Sequence, residues 1–405
     1  MDIVLGGGPP AVLLGGGANA VSVARSLSSI GVAVHVVGTS DAPVRRSRCC
    51  RSFVDLGRSA QTHDVWLDRL GRVPAGSVVL PCSDAALDVV ARHRPALVGL
   101  GLVPIEADDD VLLAMLDKER TYELARGIGI PTPTTWVIRD PADVAGIGER
   151  VTYPCLVKPR HSQVFSDRMA GLGVRAKLLV ARDANELREA VELSLGLGLK
   201  MIVSEIVPGD DDRIFSYTSY LDETGEPLLH FVKQKLRQFP PGYGTGCYHK
   251  STTDADVAAL GLAFLQGVGL RGLAYVEFKR DARDGQLRLI ECNHRFGAAT
   301  ELPRRAGIDL AIFTYQRLIG RPLAPHDGYR ANVRLWHPAD DIRAFLTLHQ
   351  QGQLTLHAWL QSLMHQQHVP MMSWTDPGPT LAHHWAGLRR TWHKKRHTTP
   401  HRPDR

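Results

Sequence analysis

The strongest constraint on this chain is a pair of acidic residues set in two apolar stretches of the segment 271–301. Glu277 lies in the first stretch and Glu291 in the second. The polar connection between them ends in Asp284-Gly285, a pair that is typical of a β-hairpin turn. A hairpin folded around position 284 would place Glu277 and Glu291 opposite each other on neighbouring strands.

The two predicted strands bring together a set of oxygen donors. Side chains of a strand alternate, so Asn293 shares a face with Glu291, and Arg295 lies on the same side. Two like charges on adjacent buried strands are costly unless a cation lies between them. Two carboxylates and an amide oxygen suit Mg²⁺ or Mn²⁺. The alternative is a surface hairpin with a solvated acidic face, which the apolar neighbours of each glutamate disfavour.

Size and charge limit the classes of function. A chain of 405 residues is long enough for several domains, and 44% hydrophobic with 22% charged residues is ordinary for a soluble globular protein. The net charge is +6, but the segment 388–405 alone holds seven basic residues and one acidic residue. The rest of the chain is neutral in sum, so a nucleic-acid-binding body is not predicted. The tail is left open as a contact for nucleic acid or an anionic membrane.

The sequence predicts a cytoplasmic protein. Glycines and prolines at 6–10 and 15–17 interrupt the N-terminal apolar run, so no stretch is expected to span a bilayer. No basic region precedes that run, so no signal peptide is predicted. The six cysteines show neither a CxxC pair nor zinc-ligand spacing, which favours reduced thiols.

The first part of the chain predicts a βαβ unit. The apolar stretches 11–14 and 32–37 flank the turn 15–20, which has the pattern G-x-G-x-x-A. One interpretation is an NAD site, with Asp41 placed to contact the ribose. The other is a tight turn of a doubly wound domain that binds no nucleotide.

Polar residues at the ends of other apolar elements are candidates for a binding site. Ser83-Asp84 follow a short strand and are predicted to cap a helix, with a substrate contact as the alternative. Lys158 closes the predicted strand 151–159, where a buried charge needs an anionic partner. The polar stretch 162–173 is predicted to be a loop that could act as a flap. Lys118 by itself is typical of a lysine on the solvated face of a helix.

Two more stretches have open interpretations. Glu205 ends a buried strand whose edge could receive a flat polar ring, while Asp211 or Asp212 could reach a sugar hydroxyl or simply be solvated. Farther on, three cations spaced by two residues would share one strand face, as a polyphosphate site requires, or line an exposed edge. They are Lys233, Lys235 and Arg237.

The C-terminal part is predicted to be helical. Residues 339–366 show two helical patterns with Trp359 on an apolar face, and a turn at 374–379 precedes a last helix with Trp385. These tryptophans are interpreted as packing anchors rather than a cofactor site. The tail from 391 is predicted to be disordered.

Taken in order, these features resemble the ATP-grasp superfamily over about residues 78–322. The resemblance is carried by lysines in LDKERTYEL and YPCLVKP, by Glu205 in SEIVPG, and by Glu277 followed by Glu291-Cys292-Asn293-His294-Arg295. The last pattern is similar to E-x-N-P-R, with His294 in place of proline, and the loop after Lys158 lacks the usual glycine-rich sequence. LRQFPPGYGTGCY and WTDPGPTLA resemble the D-aspartate ligase-like branch of carboxylate–amine ligases.

The resemblance implies an α/β fold in several parts. It implies a doubly wound domain over 1–107 and an ATP-grasp domain over 108–325, with α+β lids at 108–200 and 201–325. A helical extension over 326–390 and a basic tail over 391–405 would follow. The usual assembly would be a homodimer.

The resemblance also implies an activity: ATP would phosphorylate a small-molecule carboxylate, and an amine would attack the acyl phosphate. Lys118 and Lys158 would hold the phosphates, and a flap around Gly171 would exclude water. The other implied roles are Glu205, Ile206 and Val207 at the adenine, Asp212 at the ribose, Glu277, Glu291 and Asn293 at Mg²⁺, and Arg237 and Arg295 at the transferring phosphoryl group. The rival hypotheses are an NAD-dependent oxidoreductase and a non-catalytic ATP-binding module.

Overall fold

A computed structural model describes residues 8–57, 62–171, 177–326 and 328–383. The helices and strands are numbered in chain order over these residues. The N-terminal part is a four-stranded parallel sheet in the order β3-β2-β1-β4. Strands β1 and β4 are completely buried, as expected for parallel strands covered by helices on both faces. Its elements are β1 (Ala11–Leu14), α1 (Ala18–Ser29), β2 (Val34–Gly38), β3 (Ser52–Asp55), α2 (His63–Leu70), β4 (Val78–Pro81) and α3 (Asp84–Gly99).

The glycine-rich turn after β1 serves packing between elements. A Cβ at Gly16 would lie 2.2 Å from the Ala42 Cβ, so only glycine fits there. Just beyond the turn, the Asn19 amide donates to the carbonyl oxygens of Cys82 and Phe296, each at 2.7 Å. These two bonds tie α1 to β4 and to the segment after the predicted metal hairpin.

A smaller antiparallel sheet follows, in the order β5-β8-β6-β7. Residues 162–171 form a helix rather than the predicted loop, while 172 and 173 lie outside the described residues. The last strand of this sheet ends at Glu205, so the first lid extends five residues past the predicted boundary at 200. The elements are α4 (Asp109–Leu116), α5 (Lys118–Gly127), β5 (Thr135–Ile138), α6 (Asp143–Gly148), β6 (Cys155–Pro159), α7 (Ser162–Gly171), β7 (Leu179–Ala181), α8 (Ala184–Gly196) and β8 (Met201–Glu205).

The remaining strands form a seven-stranded mixed sheet in the order β13-β12-β9-β10-β11-β14-β15. Two of its strands, β14 and β15, lie in the predicted helical extension, which therefore is not purely helical. The elements are β9 (Ile214–Leu221), β10 (Pro227–Phe239), β11 (Thr245–Thr252), α9 (Ala255–Gly267), β12 (Gly272–Arg280), β13 (Leu287–Asn293), α10 (Glu301–Ala306), α11 (Leu310–Leu318), β14 (Arg334–Trp336), α12 (Pro338–Gln350), α13 (Leu356–Ser362) and β15 (Gln367–His368). Within the described part, no helix is long and apolar enough to cross a membrane.

Trp359, which lies in α13, is a packing anchor. Trp359 stacks on Phe345 with ring centroids 4.6 Å apart, and its indole N–H donates to the Asp341 carboxylate at 2.9 Å. Residues 378–383 are helical, as predicted for the start of the last helix, whereas Trp385 and the tail 391–405 lie outside the described residues.

A buried aspartate holds the C-terminal segment against the N-terminal sheet. Asp376 is 3% exposed and accepts hydrogen bonds from Arg25 Nε, Ser47 Oγ and the Arg48 backbone N–H at 2.7–2.9 Å. A buried carboxylate is stable only when such partners satisfy it, so this contact closes the chain back onto its first domain.

The variant Asp376→Ala should lower the free energy of unfolding by about 3–5 kcal/mol, because it leaves Arg25 partly buried without its counter-charge. Urea denaturation would measure the loss. Asp68→Ala is the matched control, since the Asp68 side chain is 60% exposed. Equal unfolding midpoints for the two variants would contradict the anchoring role.

Candidate functional site

The predicted acidic hairpin is present with the expected register. Glu277 on β12 pairs directly with Glu291 on β13, and Tyr275 pairs with Asn293. All four residues line one cleft, which has a volume of about 460 Å³. The prediction that Glu277 and Glu291 lie opposite each other is confirmed.

The floor of this cleft is the face of the large sheet, on which paired residues form charged rows. The register places Glu291, Glu277, Ser216 and Lys233 side by side across β13, β12, β9 and β10. Two residues along each strand, the next row lies on the same face. It consists of Lys279, Ile214, Lys235 and His249.

Glu277 is held as an anion by the lysines of these rows. Its Oε1 accepts a hydrogen bond from Lys235 Nζ at 3.0 Å, and its Oε2 accepts one from Ser216 Oγ at 3.4 Å. Burial alone would raise the pKa of the Glu277 carboxyl, but Lys235 and Lys233 outweigh it and lower that pKa. Burial also lowers the pKa of Lys233 to about 8.

The acid–amide set fits a divalent cation. No residue that the structure describes donates a hydrogen bond to the Glu291 carboxylate, and among those residues the buried Asn293 Nδ2 has no partner. The described residues contain no group of three or more His, Cys, Asp or Glu side chains arranged for a metal. The candidate set is instead two carboxylates and one amide oxygen, which are the ligands that Mg²⁺ prefers.

The smaller sheet contributes two lysines from the other side of the cleft. Lys158 is 7% exposed, and its Nζ lies 3.4 Å from Ser204 Oγ. Burial and the nearby Lys118 lower the pKa of Lys158 to about 8. Lys118 Nζ donates to Ser162 Oγ at 2.6 Å, at the start of α7. Both ammonium groups line the cleft and lack a carboxylate within ion-pair distance among the described residues.

One arginine fixes the backbone of both lysines. The Arg160 guanidinium bonds to the carboxylates of Asp117 and Glu119, which flank Lys118 in sequence. The Arg160 carbonyl also accepts the Lys118 backbone N–H at 3.1 Å. Because Arg160 follows Lys158 by two residues, this network sets the spacing of the two lysines.

The hinge between the two sheets lines the far end of the cleft through Glu205, Ile206 and Val207. The Glu205 carboxylate accepts the Thr134 backbone N–H at 2.9 Å and lies 3.4 Å from an Arg283 nitrogen. The carboxylate therefore anchors the hinge to its surroundings, while the backbone of the hinge borders the open space.

Arg295 lies at the opposite end, where the N-terminal domain meets the large sheet. Its Nε donates to Oδ1 of Asp84, the first residue of α3. Burial disfavours the charged guanidinium, but Tyr275 and Asp84 outweigh this and raise the pKa of Arg295. One cleft thus joins a hinge, a set of lysines, a metal-type acid pair and an arginine.

Comparison with curated proteins finds ligases that are similar in sequence to this chain. The chain is 25% identical over 269 residues to D-aspartate ligase of Enterococcus faecium, covering 64% of this chain and 63% of that protein. It is 24% identical over 185 residues to D-alanine–D-alanine ligase of Stutzerimonas stutzeri, covering 44% and 54%. The chain therefore spans less than two thirds of the length of these curated relatives. No protein-family model matches it.

Solved structures share the fold at low identity. The biotin carboxylase domain of Hydrogenobacter thermophilus 2-oxoglutarate carboxylase, a complex with MgADP, ADP and bicarbonate, superposes with a TM-score of 0.63, at 15% identity over 81% of this chain and 74% of that one. L-amino acid ligase of Bacillus licheniformis gives 0.59, at 15% identity over 78% and 76%. These similarities in sequence and in structure confirm the predicted resemblance to the ATP-grasp superfamily. Its parallel N-terminal sheet, antiparallel lid and large mixed sheet are the predicted ATP-grasp fold.

Two residues predicted for the ATP-grasp site lie elsewhere, and Arg237 is the first. Its Nε and Nη2 bond to the buried Asp341 carboxylate at 2.7 and 3.1 Å, with its guanidinium over the Tyr248 ring. The reason is a β-bulge: Lys235 pairs with His249 but Arg237 pairs with Tyr248. The extra residue on β10 turns Arg237 to the face opposite Lys235.

Asp212 is the second correction. It is exposed in the short turn Asp211–Arg213 and does not line the cleft. Its neighbour Asp211 bonds to the Gln238 side chain at 2.7 Å and to the Gly242 backbone N–H at 3.1 Å. Asp211 therefore shapes the loop after β10.

The cleft also contains basic residues that are absent from the predicted site. The sequence marks Lys233 and Lys235 only as candidates for a polyphosphate face and does not indicate Lys177, Lys279 or His249. The alternation of Lys233 and Lys235 was the usable signal. His249 could be found only through its pairing with Lys235, because a register across two strands is not visible in the sequence of one of them.

Nucleotide binding should depend on pH through Lys158. Phosphate groups favour the charged amine, so ATP affinity should fall as the pH rises through about 8, by up to roughly tenfold per pH unit for one such group. Equilibrium titration of ATP between about pH 7 and about pH 9 would measure this. The variant Lys158→Arg stays charged and should show a shallower slope. An unchanged slope would remove Lys158 from the phosphate site.

Arg237→Met should destabilise the fold and leave the catalytic activity unchanged, because it leaves the buried Asp341 carboxylate without its counter-charge. We expect a loss of about 3–5 kcal/mol in the free energy of unfolding. Thermal unfolding would report this loss, and steady-state kinetics at a temperature where the variant is folded would report unchanged constants. A large fall in turnover with an unchanged melting temperature would restore the predicted catalytic role.

Proposed function

We propose that this ATP-grasp protein is an ATP-dependent ligase that joins a small-molecule carboxylate to an amine. The carboxylate would be phosphorylated to an acyl phosphate, which the amine would attack, releasing ADP and phosphate. The observation that carries the proposal is the arrangement of Glu277, Glu291 and Asn293 across one cleft from Lys118 and Lys158. Because the chain spans only part of its ligase relatives, the activity rests on this site together with the family.

The charge of the cleft suits anionic substrates. Its described lining contains six lysines and one arginine against four carboxylates, an excess of three positive charges. A polyphosphate and a carboxylate are the ligands that such an excess attracts. The lining residues are Lys118, Lys158, Lys177, Lys233, Lys235, Lys279 and Arg295, with Asp84, Glu205, Glu277 and Glu291.

The position of each residue in the cleft would set its role in binding or catalysis. The backbone at Ile206 and Val207 would receive the adenine, and Lys118 and Lys158 would hold the phosphates in line for transfer. Bound to Glu277, Glu291 and Asn293, Mg²⁺ would neutralise the phosphate charge. Arg295 would stabilise the oxygens of the acyl phosphate, which the enclosing lids would shield from water.

The proposal is tested by a matrix of carboxylates and amines, D-amino acids included, scored for Mg²⁺-dependent ADP release. At least one pair should release ADP only when both substrates are present. Thermal shifts with Mg²⁺-ATP and with NAD would accompany the matrix. Stabilisation by ATP with no productive pair would support a binding module instead, and stabilisation by NAD alone would support the oxidoreductase hypothesis.

Glu291→Gln should weaken metal–nucleotide binding and reduce turnover by on the order of 10²-fold, because it removes a charge that stabilises the transition state. ADP release with the productive pair would measure turnover. Glu192→Gln is the control, since the Glu192 side chain is 58% exposed on α8. Wild-type turnover in Glu291→Gln would show that the hairpin is not the metal site.

A further inference from the structure

One carboxylate of the cleft has no role in holding ATP. Glu277 and Glu291 belong to the metal set, and Glu205 is bound to Thr134 and Arg283. Asp84 remains, and it is the carboxylate that the N-terminal domain contributes to the described lining. A negative charge beside a phosphate site opposes polyphosphate binding; Arg295 offsets it at one carboxylate oxygen, and the other oxygen suits a cationic ligand.

The position of Asp84 is well defined. It is the first residue of α3, and Ser83 caps the helix by accepting the Ala86 backbone N–H at 3.2 Å. Oδ1 accepts the hydrogen bond from Arg295, whereas Oδ2 accepts none from the residues that the structure describes. The Asp84 side chain is 25% exposed, so the second oxygen is open to a ligand in the cleft.

Neighbouring charges keep this carboxylate ionised. Burial would raise the pKa of Asp84, but Arg295 together with Lys118 and Lys177 outweighs burial and lowers it. Asp84 therefore lies within the field of Lys118, which is expected to hold a phosphate. A group bound to Oδ2 would be next to Arg295, where the acyl phosphate is expected.

The walls at this end of the cleft are largely apolar. Phe296 is 2% exposed and donates its backbone N–H to Pro81, three residues before Asp84. Leu87, Ala298 and Pro303 line the same space. Such walls exclude water and strengthen an ion pair with a bound cation.

We propose that Asp84 binds the amino group of the incoming amine substrate and directs it at the acyl carbon, an inference that rests on the proposed ligase activity. The amine arrives as an ammonium ion on Oδ2. It transfers a proton to a phosphate oxygen of the acyl phosphate before the nitrogen attacks. The C–N bond then forms as the C–O bond to phosphate breaks, and the departing phosphate takes the second proton to leave as H₂PO₄⁻. Asp84 orients the nucleophile and is not consumed.

Hydroxylamine separates this role from the earlier step. It is uncharged at neutral pH and traps an acyl phosphate as a hydroxamate, so it needs no carboxylate to bind it. The experiment measures hydroxamate formation and amide formation by wild-type protein, Asp84→Asn and Asp84→Glu, with the carboxylate and amine selected by the substrate matrix. Asp88→Asn is the matched control, one turn along α3, where Asp88 pairs with His63 and Arg92 outside the cleft.

In Asp84→Asn, the KM for the amine should rise on the order of 10²-fold, as for the loss of one partner of a desolvated charge pair. Hydroxamate formation and the KM for ATP should stay within about twofold of wild type. Asp84→Glu should recover part of the amine affinity, and Asp88→Asn should match wild type.

Two results would overturn the inference in different ways. Parallel losses of hydroxamate and amide formation in Asp84→Asn would show that Asp84 acts only by positioning Arg295. An unchanged KM for the amine would show that the amine binds elsewhere. Wild-type protein that forms no hydroxamate with any carboxylate tested would instead refute the proposed ligase activity, and the inference with it.

Discussion

The electrostatic repulsion between Glu277 and Glu291 is the constraint on which the rest of the site depends. The two carboxylates are cross-strand neighbours on a largely buried sheet, where unpaired like charge is costly. Part of the compensation is internal, since Lys235 bonds to Glu277 at 3.0 Å and Lys233 lies in the same row. Glu291 has no hydrogen-bond donor in the described part of the chain, which leaves it available to a cation. The architecture around the hairpin supplies positive charge from several elements because one strand pair cannot neutralise itself.

The hairpin is also coupled mechanically to the hinge between the two sheets. At its turn, the Ala282 backbone N–H donates to the Pro208 carbonyl at 3.1 Å, and Arg283 reaches Glu205. Near its other end, the Tyr122 hydroxyl donates to the Ile290 carbonyl at 2.8 Å. The metal-type ligands, the hinge and the helix that begins with Lys118 are therefore parts of one hydrogen-bonded frame. A shift of the hairpin would move all three, which accounts for the number of contacts devoted to its turn.

Local pattern predicted the elements of the site well where alternation was uninterrupted. Glu277, Glu291 and Asn293 lie on the expected face, and Lys118 and Lys158 line the expected cleft. The same rule failed at Arg237, where one extra residue in β10 reversed the side-chain direction and carried the guanidinium to Asp341. It also failed at 162–171, where a stretch with polar residues formed α7 against Lys118. A bulge and a helix of mixed composition both depend on the residues that pack against them. Those residues lie elsewhere in the chain, so the segment's own sequence does not reveal them.

The available chemical groups and their order along the chain follow from the sequence alone. The two glutamates, the asparagine, the two lysines and the hinge are local features, because each depends on the period of its own strand or helix. Which distant groups meet follows only from the folded structure. The pairing of Asp84 with Arg295 joins residues 211 positions apart, and the rows that place His249 beside Lys235 need the register of two strands. Such contacts arise from the packing of whole layers, so their geometry exists only when the sheets and domains have assembled.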